Sequence, residues 1–240
     1  MSEALIIKPQ VIENEKTELI EGCLCKAKPV IATKYKNGIL IVGENPSGSL
    51  HKIHEIHDKI AFAASGMYNH IIKLAVGGIN NADLSSLRYS DEDVRAFKIA
   101  ENYALTLGDI FDDNRFLPYK VEMMVVEIND PEDEDDDGKK LFRVKSNGHL
   151  IEEDMYSVIA DLYKNEEEIK RDSIRVFLKD KITGKEDLKA SLDICLKALG
   201  QTENKSPEIK KLEMVVLDCE SKGRRVFKRY KYKEIKAILD

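Results

Sequence analysis

The stretch from Pro29 to Gly66, PVIATKYKNGILIVGENPSGSLHKIHEIHDKIAFAASG, constrains the fold more than any other part of the chain. Val30-Ile31-Ala32 opens an apolar, β-rich run; Asn37-Gly38 interrupts it, and Ile39 to Val42 brings it back. Asn-Gly between two such runs predicts a type I′ hairpin turn, because both central residues of that turn need positive φ. A polar loop from Glu44 to Ser49 follows. A second pair of strand-like runs then covers Lys52 to Asp58 and Ile60 to Ala64 and ends at Ser65-Gly66.

On either side of this stretch the pattern alternates between helices and strands. Pro9 opens a helix to about Cys25, with Val11, Ile12, Leu19, Ile20 and Leu24 in one apolar stripe. That stripe needs a surface to dock on, in its own chain or in another subunit. Met67 to about Asn81 is predicted helical, with Gly77-Gly78 marking either close packing or a frayed end. Ser90 to Asp93 is expected to cap a further amphipathic helix that carries Val94, Phe97, Ala100, Tyr103, Leu107 and Phe111. Pro118 to Ile128 and Leu141 to Val144 are strands joined by an acidic hairpin tip, and Ser146-Asn147-Gly148 turns into a third strand at His149. Helices are expected over Glu166 to Lys179 and Lys185 to Leu199, the second stopped by Gly200. Two strands, Leu212 to Leu217 and Arg225 to Tyr230, and a helix from Lys233 to Leu239 close the chain. Strand groups separated by helix pairs imply an α+β fold, with two sheets face to face and helices outside.

Composition removes several classes of function. A formal net charge of −6 over 240 residues argues against a nucleic-acid binder. No run of about 18 apolar residues occurs, so no membrane span is expected, and the N-terminus carries no cleavage-site pattern of a signal peptide. Of the four cysteines, Cys23 and Cys25 are too close for an ordinary disulfide, and no second pair completes a zinc site. They read as reduced thiols in a cytoplasmic protein. His51, His54 and His57 recur every third residue, but on a strand His54 faces away from the other two, so no metal site is expected. Asp130 to Asp137 lacks the ligand spacing of a calcium loop and reads as solvated. The basic tail from Lys222 to Lys236 reads as a strand and helix with one solvated face. No cofactor is expected.

Several segments together carry a resemblance. GENPS-x-SLHKI-x-EI, the IAFAASGMYN junction, NADLSSLRYSDEDV leading into ENYALTLGDIF, and RRVFKRY stand in the order and spacing of a proteasome subunit, and the chain resembles bacterial α-type subunits from about Pro9 to Leu239. The resemblance implies a four-layer αββα sandwich of the N-terminal-nucleophile hydrolase type, two mainly antiparallel sheets with an extra N-terminal helix. It implies residues 1–8 as a mobile gate segment and 9–240 as a single α-type domain. It further implies a homo-heptameric outer ring, β-type catalytic subunits as partners, unfolded proteins as substrates, and a ring-shaped ATPase or other activator docked by its C-termini.

Catalysis on this fold requires a Thr, Ser or Cys freed as the first residue of the leading strand, with its own α-amine as base. This chain has Lys28-Pro29 there; Thr33 lies inside the strand and Ser49 after the hairpin. Lys52 and Glu44 stand where β-type subunits carry a catalytic lysine and an acid, but without a nucleophile they perform no acyl transfer. A non-catalytic subunit is therefore expected. The alternative is a self-processed hydrolase cut at Gly22-Cys23, with Cys23 as nucleophile; its position in the helical stripe, short of the strand, speaks against it. By resemblance, Lys52 lines a pocket between neighbouring subunits and pairs with an activator's C-terminal carboxylate, with backbone near Gly66 as further donor. Ala27 replaces a glycine found in archaeal relatives.

Overall fold

The two leading hairpins seed two different sheets. A computed structural model describes residues 9–131, 136–165, 168–203, 207–221 and 223–240. The expectations for residues 1–8, for the middle of the acidic tip and for Lys222 lie outside the described residues.

Strands β1 (Val30–Tyr35) and β2 (Gly38–Glu44) form the first hairpin, and β3 (Ile53–His57) and β4 (Ile60–Gly66) the second. The second grows through β5 (Val121–Ile128), β6 (Lys139–Val144) and β7 (Leu150–Glu153) into a sheet of order β3-β4-β5-β6-β7. β8 (Tyr156–Ile159) joins β1, whereas β9 (Leu162–Asn165) and β10 (Glu168–Arg171) form a two-stranded sheet of their own among the described residues. β11 (Leu212–Asp218) and β12 (Phe227–Tyr230) complete the first sheet as β12-β11-β2-β1-β8. Pairing among the described residues is antiparallel throughout.

Side-chain alternation builds three apolar layers from these sheets. Val30, Ala32, Ile39 and Ile41 meet Ala61, Ala63, Met124 and Val126 between the sheets. Phe62, Met123 and Val125 face outward, under α2 (Tyr68–Arg88) and α3 (Ala96–Asp112). Ile31, Leu40, Val42 and Met214 face outward on the other side, under α4 (Ser173–Leu178), α5 (Leu188–Glu203) and α6 (Tyr232–Leu239). The result is the expected αββα sandwich. Strands buried on both faces read as continuous apolar runs, which is why β1, β2 and β5 lack a clean polar face. Gly78 lies inside α2, where a Cβ would overlap the Tyr103 hydroxyl, so close packing of α2 on α3 is the reason for a glycine there.

The N-terminal helix α1 (Pro9–Leu24) sits against one end of the sandwich. Ile20 and Leu24 pack on Ala160, with Phe111 and Leu162 around them, while Val11 and Leu19 stay 44% and 38% exposed. Lys16 reaches the C-terminus of α3. Its ammonium donates to the carbonyl of Phe111, to that of Asp113 at 3.3 Å and to Asn114 Oδ1 at 3.1 Å, thereby satisfying carbonyls that a helix end leaves open.

Tertiary contacts override local preference in several places. The first hairpin closes one residue early: Tyr35 pairs with Gly38, so Lys36-Asn37 is the turn, and neither residue has positive φ. Gly38 instead opens β2, where a Cβ would overlap the Leu217 carbonyl oxygen of β11. The turn is pinned from outside, by Lys36 N–H to the Glu186 carbonyl and Cys219 N–H to the Asn37 carbonyl, both at 2.9 Å. Ser90 does not cap α3; Asp91–Asp93 form one 3-10 turn, and the helix starts at Ala96. Of the helix expected over Glu166 to Lys179, residues 166–167 lie outside the described residues, and the rest is β10 followed by the short α4. Asp172 at φ 59° separates the two, and the Asp161 carboxylate accepts from the N–H groups of Ile174 and Arg175 at the start of α4. Helix α5 runs through Gly200 to Glu203 and does not stop there, and α2 extends well beyond Asn81.

Candidate functional site

Lys52 immediately precedes β3 and Gly66 ends β4, so the open end of the second hairpin holds both. The main chain just ahead of β1 draws them together. Lys52 Nζ donates to the Lys28 carbonyl at 2.9 Å, and Ser65 Oγ donates to the same oxygen at 2.6 Å. The Lys28 ammonium itself pairs with Glu44 at 3.2 Å, at the end of β2. Gly66 adopts φ +133°, and a Cβ there would overlap the Lys120 carbonyl oxygen of the approaching chain. Only glycine fits both conditions.

The electrostatics of Lys52 follow from its burial, which pulls the ammonium from its usual range down to about 8. Glu213 and Glu44 offset part of this shift, and Lys28 adds to it. Glu213 was missed in the sequence. It is a buried acid in β11 whose carboxylate accepts from the N–H groups of Lys52 at 3.0 Å and Ile53 at 3.3 Å. A lone acid within LEMVVLD, an otherwise apolar strand, was the available signal. Ser65, hidden in the apolar run IAFAAS, carried none.

The same geometry bears on catalysis. No hydroxyl or thiol stands at Lys28-Pro29, where β1 begins. Thr33 is fully buried on the outer face of β1, its Oγ1 3.8 Å from Cys195 Sγ under α5. Burial pushes the Cys195 thiol up to about 12, leaving it inert as a nucleophile. Ser65 and Lys52 are not an activated pair, since both spend a proton on the Lys28 carbonyl and a lysine base would have to accept from the serine. Cys23 occupies the last turn of α1, its carbonyl accepting from Lys26 N–H at 3.1 Å. Cleavage at Gly22-Cys23 would cut a helix.

The three histidines part company. His51 lies 3.2 Å from Glu213, His54 Nε2 lies 3.0 Å from the His51 carbonyl, and His57 lies 3.5 Å from Asp91 at the far end of β3. Among the described residues no three His, Cys, Asp or Glu side chains are grouped to hold a metal ion, and no helix is long and apolar enough to cross a membrane.

A family model described as proteasome subunit matches residues 25–163, more than half of the chain. The chain belongs to the proteasome subunit family. Its relatives place it among the α-type subunits. The proteasome subunit alpha of Streptomyces griseus is 33% identical, over all of this chain and 86% of its own length. That of Acidothermus cellulolyticus is 32% identical, over all of this chain and 98% of its own length, and that of Streptomyces coelicolor is 32% identical, over all of this chain and 91% of its own. In this α-type subunit the family match takes in Lys28, Lys52, Ser65 and Gly66 and stops short of Glu213.

Proposed function

We propose that this subunit serves the proteasome as a doorway without cutting peptide bonds itself. In this reading it forms a homo-heptameric outer ring in the cytoplasm and works with β-type subunits that carry the nucleophile. Residues 1–8 gate the entry of unfolded protein, ahead of an α-type domain spanning 9–240. Lys52, with backbone near Gly66, takes the C-terminal carboxylate of a ring-shaped ATPase or other activator.

The observation that carries the reading is the Lys52 ammonium held against the Lys28 carbonyl, at a strand start that has no nucleophile. A neutral carbonyl is a modest acceptor. An arriving carboxylate brings a full opposite charge to an ammonium that now meets only a carbonyl dipole, which favours the exchange. The exposed half of the α1 stripe, Val11 and Leu19, supports a contact between neighbouring subunits.

The test is a particle reconstituted with a β-type partner and an activator. Lys52→Ala abolishes stimulation of peptide hydrolysis while ring assembly persists; full stimulation in the variant refutes the docking role. Deleting residues 2–8 speeds unstimulated hydrolysis, and an unchanged rate refutes the gate. The alternative, a hydrolase using Cys23, requires loss of residues 1–22, which intact-mass measurement detects directly.

A further inference from the structure

We propose that Glu213 is the positioning residue of the Lys52 site: reaching across from the opposite sheet, it fixes the main chain that carries Lys52 and places a negative charge beneath it. The proposal rests on the reading of Lys52 as a carboxylate anchor and supplies what holds that anchor in place.

The strand itself poses the question. In β11, Met214 and Val216 face the outer helices, while Val215 and Leu217 face the core between the sheets. By alternation Glu213 belongs to the inner face, in register with Gly43 of β2, and it is 5% exposed. Packing alone would favour an apolar side chain there, since a buried carboxylate is costly unless donors surround it.

Most of the donors belong to the approach to Lys52, and the remaining one comes from β12. Besides the N–H groups of Lys52 and Ile53, the carboxylate accepts from Asn45 Nδ2 at 3.0 Å and from the Arg229 guanidinium of β12. The other arm of Arg229 donates to the Ile53 carbonyl, so the main chain at Ile53 is held through both its N–H and its C=O. Asn45 Nδ2 also donates to the Leu50 carbonyl at 3.1 Å, and its Oδ1 accepts from Ser47 Oγ at 2.8 Å. Ser47 Oγ in turn accepts from Leu50 N–H at 2.9 Å. The loop from Asn45 to Leu50 thus ties its ends together through Asn45 and Ser47 and hangs from Glu213.

Charge follows the same geometry. The groups facing Lys52 are Lys28 ahead of β1, Glu44 at the end of β2, Glu213 of β11 and, behind Glu213, Arg229 and His51. Of these, Glu213 is the leading favourable influence on the ammonium, and burial is the leading unfavourable one. Without Glu213, Lys28 faces Lys52 with Glu44 in opposition, and the Arg229 guanidinium behind the carboxylate is left without its counter-charge. Without Arg229, the full charge of Glu213 acts on Lys52. The two deletions therefore push the lysine in opposite directions, which mere damage to the fold does not do. Unfolding would move the lysine toward its ordinary, higher value in both variants.

The test uses the full-length protein with Glu213→Gln and Arg229→Gln. One readout is the pH midpoint of Lys52 acylation by an amine-selective reagent, followed by peptide mass spectrometry. The other is binding of a fluorescent peptide with a free C-terminal carboxylate, against its amidated twin, across the same pH range. Glu213→Gln lowers the midpoint by on the order of one pH unit and carries the alkaline loss of carboxylate-peptide binding down with it. Arg229→Gln raises both. An unmoved midpoint in Glu213→Gln overturns the proposal; should that variant aggregate, an unmoved midpoint in Arg229→Gln does so instead. If Lys52→Ala leaves peptide binding intact while Glu213→Gln still shifts the midpoint, the anchor reading fails and the positioning stands. If Lys52→Ala abolishes binding and neither Gln variant moves the midpoint, the anchor stands and the positioning fails.

Discussion

Replacing Lys16 by methionine tests how α1 is held to the sandwich. The substitution keeps most of the bulk and removes the ammonium that bridges to the Phe111 and Asp113 carbonyls and Asn114. Hydrogen bonds from a charged donor contribute about 1.5–3 kcal/mol each, and water recovers part of what the exposed end of the cluster loses. A net loss of about 3 kcal/mol in docking is a reasonable sum, because Ile20 and Leu24 remain seated on Ala160. At about 1.4 kcal/mol per factor of ten, α1 then opens on the order of 100-fold more often. Hydrogen exchange read by mass spectrometry is the assay. Peptides covering residues 9–24 lose protection by about that factor, while those in β1, β2 and β5, deep in the sandwich, keep theirs. Unchanged exchange in residues 9–24 would show that the apolar seat alone holds the helix and that the Lys16 cluster contributes nothing. A loss spread evenly over the chain would contradict the local nature of the contact.

Further outcomes follow from particular contacts. Gly78→Ala gains about 1 kcal/mol of helix propensity but drives Tyr103 aside, costing about 1–3 kcal/mol in overpacking. It also loses the bond that Tyr103 Oη donates to the Leu74 carbonyl at 2.8 Å; a net destabilisation of about 2 kcal/mol is expected in urea melts, and a stabilised variant would refute the packing argument. If Lys52 is the carboxylate anchor proposed above, binding weakens about tenfold per pH unit above about 8, where the free ammonium loses its proton. The sign for stability is the reverse: between about 8 and the ordinary lysine value the unfolded chain binds more protons than the folded one, so this group makes the fold more stable as pH rises. Lys52→Arg, charged throughout, removes the alkaline fall in binding; a fall that persists in the arginine variant assigns it to another group.

The residues legible in advance were those whose role is set by local pattern. The strands within Val30 to Val42, the helix of Tyr103 and Leu107, and the closing helix over Lys233 to Leu239 were readable because their apolar period is unbroken, although the turn between the strands and the cap of the Tyr103 helix fall elsewhere. The misses share a cause. Gly38 looked like a turn residue but was needed for the approach of β11, almost 180 residues downstream. Glu166 to Lys179 looked helical, but Asp161 and the left-handed Asp172 divide its described part, and neither effect is written in the segment's own periodicity. At the site, Lys52 and Gly66 stood out through motif. The carboxylate beneath them did not, because Glu213 belongs to a strand of the other sheet and meets Lys52 only once both hairpins are folded.

The account stands most directly on whether this polypeptide breaks peptide bonds. The decisive measurement is hydrolysis of a fluorogenic peptide by the purified full-length chain, alone and together with a β-type partner, with intact mass recorded in parallel. The account predicts no turnover by the chain alone, an unprocessed mass, and activity in the pair that survives Cys23→Ala but not removal of the partner's N-terminal nucleophile. Turnover by the chain alone, lost in Cys23→Ala and accompanied by a mass lacking residues 1–22, would contradict it.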